Sequence, residues 1–154
     1  MGNRPGSATL FVMPDANDEN VESSPPPYSG PGAPVSAFMG SEVVCIAASA
    51  TVREAARLLA DASVGCIVVG SPAQVEAVIS ERDIVRAVAS GVDIDAVTAN
   101  ELGSHQLVWV SADDTVGDVA EEMMEDYVRH VLVRDDTGLV GVISMRDVIS
   151  AYTF

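Results

Sequence analysis

Two short constellations in this 154-residue chain each hold a hydroxyl, a guanidinium and a carboxylate: Ser80-Glu81-Arg82-Asp83 and Ser144-Met145-Arg146-Asp147. In each, the serine precedes the aspartate by three residues and the arginine stands directly before the aspartate. An ionised aspartate can accept both hydroxyls of a ribose, and a hydrogen bond to a charged group contributes about 1.5–3 kcal/mol. The serine can bond ribose or phosphate, and the arginine supplies fixed positive charge to a phosphate. The open amides of a helix start add to the attraction for an anion. The same spacing also describes a helix cap, in which serine accepts a backbone N–H and aspartate complements the helix dipole. Serine can cap and still meet a ligand, so the two readings coexist.

The surrounding sequence must place both constellations where a strand enters a helix. Val43-Val44-Cys45-Ile46 is a short β-like run. Thr51, with Glu54 three residues on, predicts a capping box. The helix it opens has Ala55, Leu58, Leu59 and Ala62 on its apolar face and Arg53, Arg57 and Asp61 on its wet one. Val64 to Val69 reads as a buried strand, Gly70-Ser71-Pro72 as a turn, and Val75 to Ile79 as an antiparallel return strand. Ser80 then opens a second helix to about Ala89, closed by Gly91 as a left-handed cap. The unit is β-α-β-β-α.

Adding 64 to each position from Val44 to Ala87 produces the same unit again without a gap. Val44 maps on Val108, Thr51 on Thr115, Val64 on Val128 and Ala87 on Ala151. The second capping box is Thr115 with Asp118, and the second hairpin turn is Asp135 to Gly138. A gapless match over a whole supersecondary unit is an internal duplication.

Composition narrows the function classes. The formal net charge of −15 weighs against nucleic acid or an anionic membrane as main partner. No apolar run approaches the roughly 18 residues that span a bilayer. The stretch Ala8 to Met13 is too short for a signal-peptide core and has only Arg4 before it, so a soluble, cytoplasmic protein is expected. Residues 1–34, rich in Pro, Gly and Ser, are expected to be a disordered tail, with the apolar patch from Leu10 to Met13 as an exception that could add to a sheet edge. Cys45 and Cys66 sit in apolar runs and are expected to be small buried hydrophobes. Asp113, Asp114, Asp118, Glu121, Glu122 and Glu125 suggest a metal site, but a solvated helix face is the better reading. Met123 and Met124 are expected in the core or a dimer face, and Trp109 half-buried on its strand. The only histidines are His105 and His130, and no nucleophile with a base or metal-ligand spacing occurs; no enzyme, metal or required cofactor is expected.

Two tandem β-α-β-β-α units, each ending in a strand followed by Ser-x-x-Asp and a helix, resemble a pair of CBS domains (a Bateman module). Gly141-Val142-Ile143-Ser144-Met145-Arg146-Asp147 meets the family signature in full. In the first repeat Ala77 stands at the glycine position, which predicts less close backbone approach to a ligand there. Val35-Ser36-Ala37-Phe38-Met39 and Ala99-Asn100-Glu101-Leu102-Gly103 resemble the family's lead-in segments; Ala37 departs from the usual acidic residue and Glu101 keeps it. The resemblance implies an α+β fold with repeats at 35–98 and 99–154, packed about a pseudo-two-fold axis with clefts between them. It also implies an adenosine-containing ligand such as AMP, ATP, NAD or S-adenosylmethionine, a homodimer, and a protein partner that the ligand regulates. No fused enzyme or transporter is read in the chain, so a stand-alone module is expected. The implied ligand residues are Ser80, Arg82, Asp83, Ser144, Arg146 and Asp147, with Arg129 and His130 at the phosphate end of the second repeat. Val44 and Val108 are the apolar neighbours expected against adenine. The extra basic residues make the second site the tighter one. The competing expectation is a structural or partner-binding module with empty clefts.

Overall fold

The computed structural model describes residues 8–12, 29–40 and 42–153. Two mixed sheets carry the fold. In the first, β1 (Ala8–Val12), β2 (Glu42–Ile46), β3 (Cys66–Ser71) and β4 (Gln74–Ser80) lie in that order. In the second, β5 (Trp109–Ser111), β6 (His130–Asp135) and β7 (Gly138–Ser144) do the same. The helices are α1 (Val52–Ala62), α2 (Glu81–Ala89), α3 (Ala99–Leu102), α4 (Val116–Glu125) and α5 (Met145–Ala151). Strand β2 runs parallel to β3, and β3 antiparallel to β4; β5, β6 and β7 repeat that pattern. The α+β class and the duplicated β-α-β-β-α order are as the sequence predicts.

Local chemistry explains the element starts. Among the described residues all five α-helices open on complete capping boxes: Thr51 with Glu54, Ser80 with Asp83, Thr98 with Glu101, Thr115 with Asp118, and Ser144 with Asp147. Each box satisfies amide donors that a helix start would otherwise leave open. At the far end of α2, the Gly91 and Val92 amides bond the carbonyls of Val88 and Ala87, and Gly91 has φ +71°, a Schellman closure.

Two element boundaries differ from the sequence expectation. Val64 belongs to the closure of α1 rather than to a strand, because its amide bonds the Leu59 carbonyl while Ser63 takes a left-handed conformation. Tyr127 repeats this 64 residues later, with the Val128 amide on the Met123 carbonyl. The first hairpin turns at Pro72 and Ala73, not at Gly70. Gly70 and Ser71 still pair with Val75 and Gln74, across a bulge between Val69 and Gly70.

The chain divides into two compact units. Unit 1 joins β1 to Val43–Leu107, and unit 2 joins the segment before β2 to Val108–Phe154. The core of unit 1 gathers Val44, Ile46, Ala55, Leu59, Ile67, Val69, Ala77 and Ile79. That of unit 2 gathers Val35, Val110, Val116, Val119, Met123, Val131, Val133, Ile143 and Val148. Burying each such aliphatic side chain contributes about 1.5–3 kcal/mol.

Each unit takes its lead-in from the stretch before the other repeat. In unit 2, Val35 bonds the Asp114 carbonyl, Ser36 the Ala112 carbonyl and Gly40 the Val142 carbonyl through their amides. In unit 1, Ala99 bonds Ala50, Asn100 bonds Ala48 and Ser104 bonds Val78 in the same way. Every one of these pairs is the other shifted by 64 at both ends.

The expected tail lies largely outside the described residues; of its two described parts, the first is the excepted apolar patch at a sheet edge, and the second departs from the expectation. Ala8–Val12, an apolar β-prone run, is the edge strand beside β2. Residues 29–34 pack on unit 2: Ala33 is buried, Val116 donates to its carbonyl, and Gly30 donates to the carbonyl of Ala151.

Candidate functional site

The two Ser-x-x-Asp junctions form alike. In unit 1, the Ser80 amide and hydroxyl both donate to Asp83 Oδ2 at 2.8 Å, and the Asp83 amide donates back to Ser80 Oγ at 3.4 Å. In unit 2, the Ser144 amide and hydroxyl donate to Asp147 Oδ2 at 2.7 and 2.6 Å, and the Asp147 amide returns to Ser144 Oγ at 3.2 Å. Two donors on one oxygen leave Oδ1 outside these bonds. A carboxylate offers about four lone-pair sites, so Oδ1 can accept further hydroxyl donors. The serine hydroxyl, already donor and acceptor in its cap, keeps one acceptor position. The carboxylate is therefore the freer ligand group of the pair.

The cap itself does not mark these junctions as special, since Thr98/Glu101 and Thr115/Asp118 make the same bonds. Depth does. The serine-capped junctions are partly buried, whereas those two threonine-capped ones are exposed. Hydrogen bonds to Thr98 hold the Glu101 carboxyl below the usual carboxylate range.

Strand register brings a further residue to each junction. Ser80 lies opposite Cys66, and Ser144 opposite His130. The first amide after each serine closes onto the strand before it: Glu81 donates to the Gly65 carbonyl at 3.0 Å and Met145 to the Arg129 carbonyl at 2.8 Å. His130 therefore stands across from Ser144, and the Arg129 carbonyl is tied to the residue after it. Cys66 holds in unit 1 the place that His130 holds in unit 2, as the 64-residue offset requires. Its thiol is pushed up to about 12 by burial and then by the charge of Asp83.

Charge differs between the junctions. The first pairs Arg82 with two acids, Glu81 and Asp83; the second has Arg129 and Arg146 against Asp147 alone, with Met145 in place of Glu81. Arg82, Arg129 and Arg146 are exposed. Arg53 forms an ion pair with Asp95, and its hydrogen bond holds the Asp95 carboxyl low.

Other expectations sort as follows. Val44 is core, 5% exposed, and its side chain packs among the strand and helix residues of unit 1 rather than standing open to a ligand. Val108 is half-buried against the core of unit 2. Gly141 makes room for the lead-in segment. A Cβ there would lie 2.6 Å from the Gly40 carbonyl oxygen and 2.9 Å from Met39 Sδ, so the lead-in segment occupies that space. Cys45 and Cys66 are free thiols, Cys45 buried and pushed up to about 11 by desolvation. Met123 is core and Met124 is exposed. Trp109 is half-buried, with the Arg134 guanidinium 5.9 Å from its ring centroid.

The described residues hold no group of three His, Cys, Asp or Glu side chains that could bind a metal ion, and no helix among them is long and apolar enough to cross a membrane. Asp114 and Asp118 of the acidic stretch are engaged in bonds to the Ser111 amide and to Thr115.

Comparison with known proteins agrees with the duplicated architecture. Hypoxic response protein 1 of Mycobacterium tuberculosis is 28% identical over 113 residues, covering 72% of this chain and 79% of that protein. A CBS domain protein from Pyrobaculum aerophilum, solved in complex with AMP, is 36% identical with a TM-score of 0.66, covering 74% of this chain and 88% of that one. The crystal structure of a Hypoxic Response Protein I with two coordinated zinc ions is 26% identical with a TM-score of 0.64, covering 77% and 98%. The CBS domain model matches twice, at residues 35–90 and 99–153, and with both repeats so matched the chain belongs to the CBS domain family.

Proposed function

We propose that this CBS pair is a regulatory module that binds an adenosine-containing ligand, such as AMP, ATP, NAD or S-adenosylmethionine, and passes its occupancy to a partner protein. The observation that carries the reading is the 36% identical CBS protein solved with AMP. The partly buried Asp83 and Asp147, each with Oδ1 outside its cap, supply the ribose acceptors the reading needs. The second junction is the tighter site, because Arg129 and Arg146 stand there with Asp147 as the one neighbouring acid in sequence, whereas Arg82 stands between Glu81 and Asp83. Catalysis is no part of this reading, and neither is a required cofactor.

The module acts as a cytoplasmic homodimer. Val85 and Val88 on α2, Met124 on α4 and Ile149 on α5 are large apolar side chains at 56–73% exposure, and they suit a second copy of the chain. The rival reading is a partner-binding module without a ligand. It is favoured by one observation: the serine caps are bonded as fully as the threonine caps, so capping alone accounts for their geometry.

A thermal-shift panel of AMP, ADP, ATP, NAD and S-adenosylmethionine separates the two. A ligand at about 100 times its dissociation constant adds roughly 2.7 kcal/mol, or about 5–11 °C in Tm for a domain of this size. No shift with any of the five at millimolar concentration rules the sensor reading out.

A further inference from the structure

The apolar run Ala8–Val12 lies as β1 along the outer edge of β2. No hairpin joins the two strands. Residues 13–41 intervene, and residues 29–40 within them belong to unit 2. A five-residue strand without a tight turn must recover its ordering entropy from its own pairing alone.

The two units differ in what this edge offers. In unit 2 the Leu132 amide donates to the Val108 carbonyl and the Ala112 amide to the Arg134 carbonyl. Residues 108, 110 and 112 therefore turn their backbone groups toward β6, and residues 109 and 111 turn theirs outward. Asp114 closes that edge: its Oδ2 accepts from the Ser111 amide at 2.7 Å, and its own amide donates to the Ser111 carbonyl at 3.1 Å. Of the outward groups of β5, only those of Trp109 lie outside this turn. In unit 1 the register is the same, Cys45 against Val68 as Trp109 against Leu132, so Val43, Cys45 and Ala47 face outward. The Ala50 amide still bonds the Ala47 carbonyl at 3.0 Å, but Ala50 has no carboxylate to offer the Ala47 amide. One edge is shut by an aspartate, and the other holds a strand.

We propose that the outer edge of β2 is a docking edge for an extended, uncharged, β-prone segment of the partner protein, and that Ala8–Val12 occupies it as a built-in competitor. The sequence of the resident strand, Ala-Thr-Leu-Phe-Val, shows the chemistry the edge accepts. It has no charge and no proline, and Thr9, Phe11 and Val12 are β-branched or aromatic. Main-chain pairing supplies the affinity, so a partner segment of the same character displaces β1 by mass action. This rests on the partner protein of the reading above and not on its ligand.

The test uses the full chain, with a capped synthetic peptide of residues 6–13 as the probe. Amide hydrogen exchange reads Cys45, whose amide faces β1, and Ala8 to Val12 themselves. Successive amides of a strand point to opposite edges, so one of Thr9→Pro and Leu10→Pro strips a donor from the β1–β2 ladder. That variant should speed Cys45 exchange about tenfold or more, and the peptide should restore the protection. The variant should also bind the peptide about tenfold tighter than the parent, whose own strand competes. In the parent, saturating peptide should speed exchange of Ala8 to Val12 while Cys45 stays slow, a readout that needs no variant. The proposal is overturned if the peptide changes exchange in neither chain, which makes β1 a fixed strand of unit 1. Equal affinity for parent and variant also overturns it, because the peptide then binds elsewhere. So does a parent that doubles its mass in light scattering while the proline variant stays single, since the occupant is then the strand of a second copy. Nucleotide enters none of these readouts, so failure of the adenosine reading shows separately.

Discussion

In unit 2, Met39 of the lead-in reaches over Gly141 of β7; at the matching places in unit 1, Gly103 lies over Ala77 of β4. A Cβ on Gly103 would meet Ala77 Cβ at 3.1 Å and the Val78 carbonyl oxygen at 3.0 Å, so the larger residue fits on only one side of each contact. The same strand-on-segment approach is thus made twice with the small residue on opposite partners. The family glycine at Gly141 is a packing device, and its absence at Ala77 says nothing against a ligand in unit 1. What does separate the units is chemistry beside the serines: Arg129 and His130 in one, Gly65 and Cys66 in the other.

The largest expected effect tests the packing half of that comparison. Gly141→Ala forces a methyl against the backbone of Gly40 and the thioether of Met39, at a cost of about 3 kcal/mol. Thermal denaturation should show a drop of roughly 6–12 °C. Adding Met39→Gly should recover part of it, and no recovery would mean that the Gly40 backbone alone sets the limit.

The chemical half is tested by the two aspartates. Asp147→Asn is expected to weaken AMP by about 2 kcal/mol, near thirtyfold, while Asp83→Asn leaves the tighter site in place. Both variants lose similar cap energy, about 1 kcal/mol, so stability cancels between them and calorimetry reads the ligand term. Loss of binding in Asp83→Asn alone would reverse the ranking of the units.

The smallest effect is a pH response from unit 1, which holds both cysteines. The Cys45 thiol moves from an ordinary value of 9.0 to about 11 on burial, and Cys66 from 9.0 to about 12. A thiol whose folded value is raised keeps its proton longer than the unfolded chain does. Stability is therefore full below about pH 9 and falls as pH rises toward 11, by about 1 kcal/mol at pH 10 for Cys45. Chemical denaturation of Cys45→Ala against the parent between pH 8 and pH 10 should show that slope shrink.

Much of this was legible in the residues because it is local. A capping box needs two residues three apart, and Thr51, Ser80, Thr115 and Ser144 announce theirs. The 64-residue offset likewise needs only the sequence. What stayed hidden depends on pairing across distance. That Cys66 stands opposite Ser80 follows from a register, and that Arg134 lies over Trp109 follows from which face a strand presents. Val64 was misplaced because a left-handed serine at Ser63 carries no signature as glycine would. The exchange of lead-in segments was invisible because the duplication is equally good whether Val35 packs on its own repeat or on the other.

That exchange has a mechanical consequence. A pull between Gly30 and Gly40 is not borne first by the repeat that follows that segment in sequence. It loads the backbone bonds to Ala151, Ala112, Asp114 and Val142, all in unit 2. Tension between residues 92 and 104 loads Ala87, Ala50, Ala48 and Val78 in unit 1. Each unit therefore holds the tether that leads into the other half of the chain, and a pull at either tether strains the β7 or β4 strand that runs directly into its Ser-x-x-Asp junction.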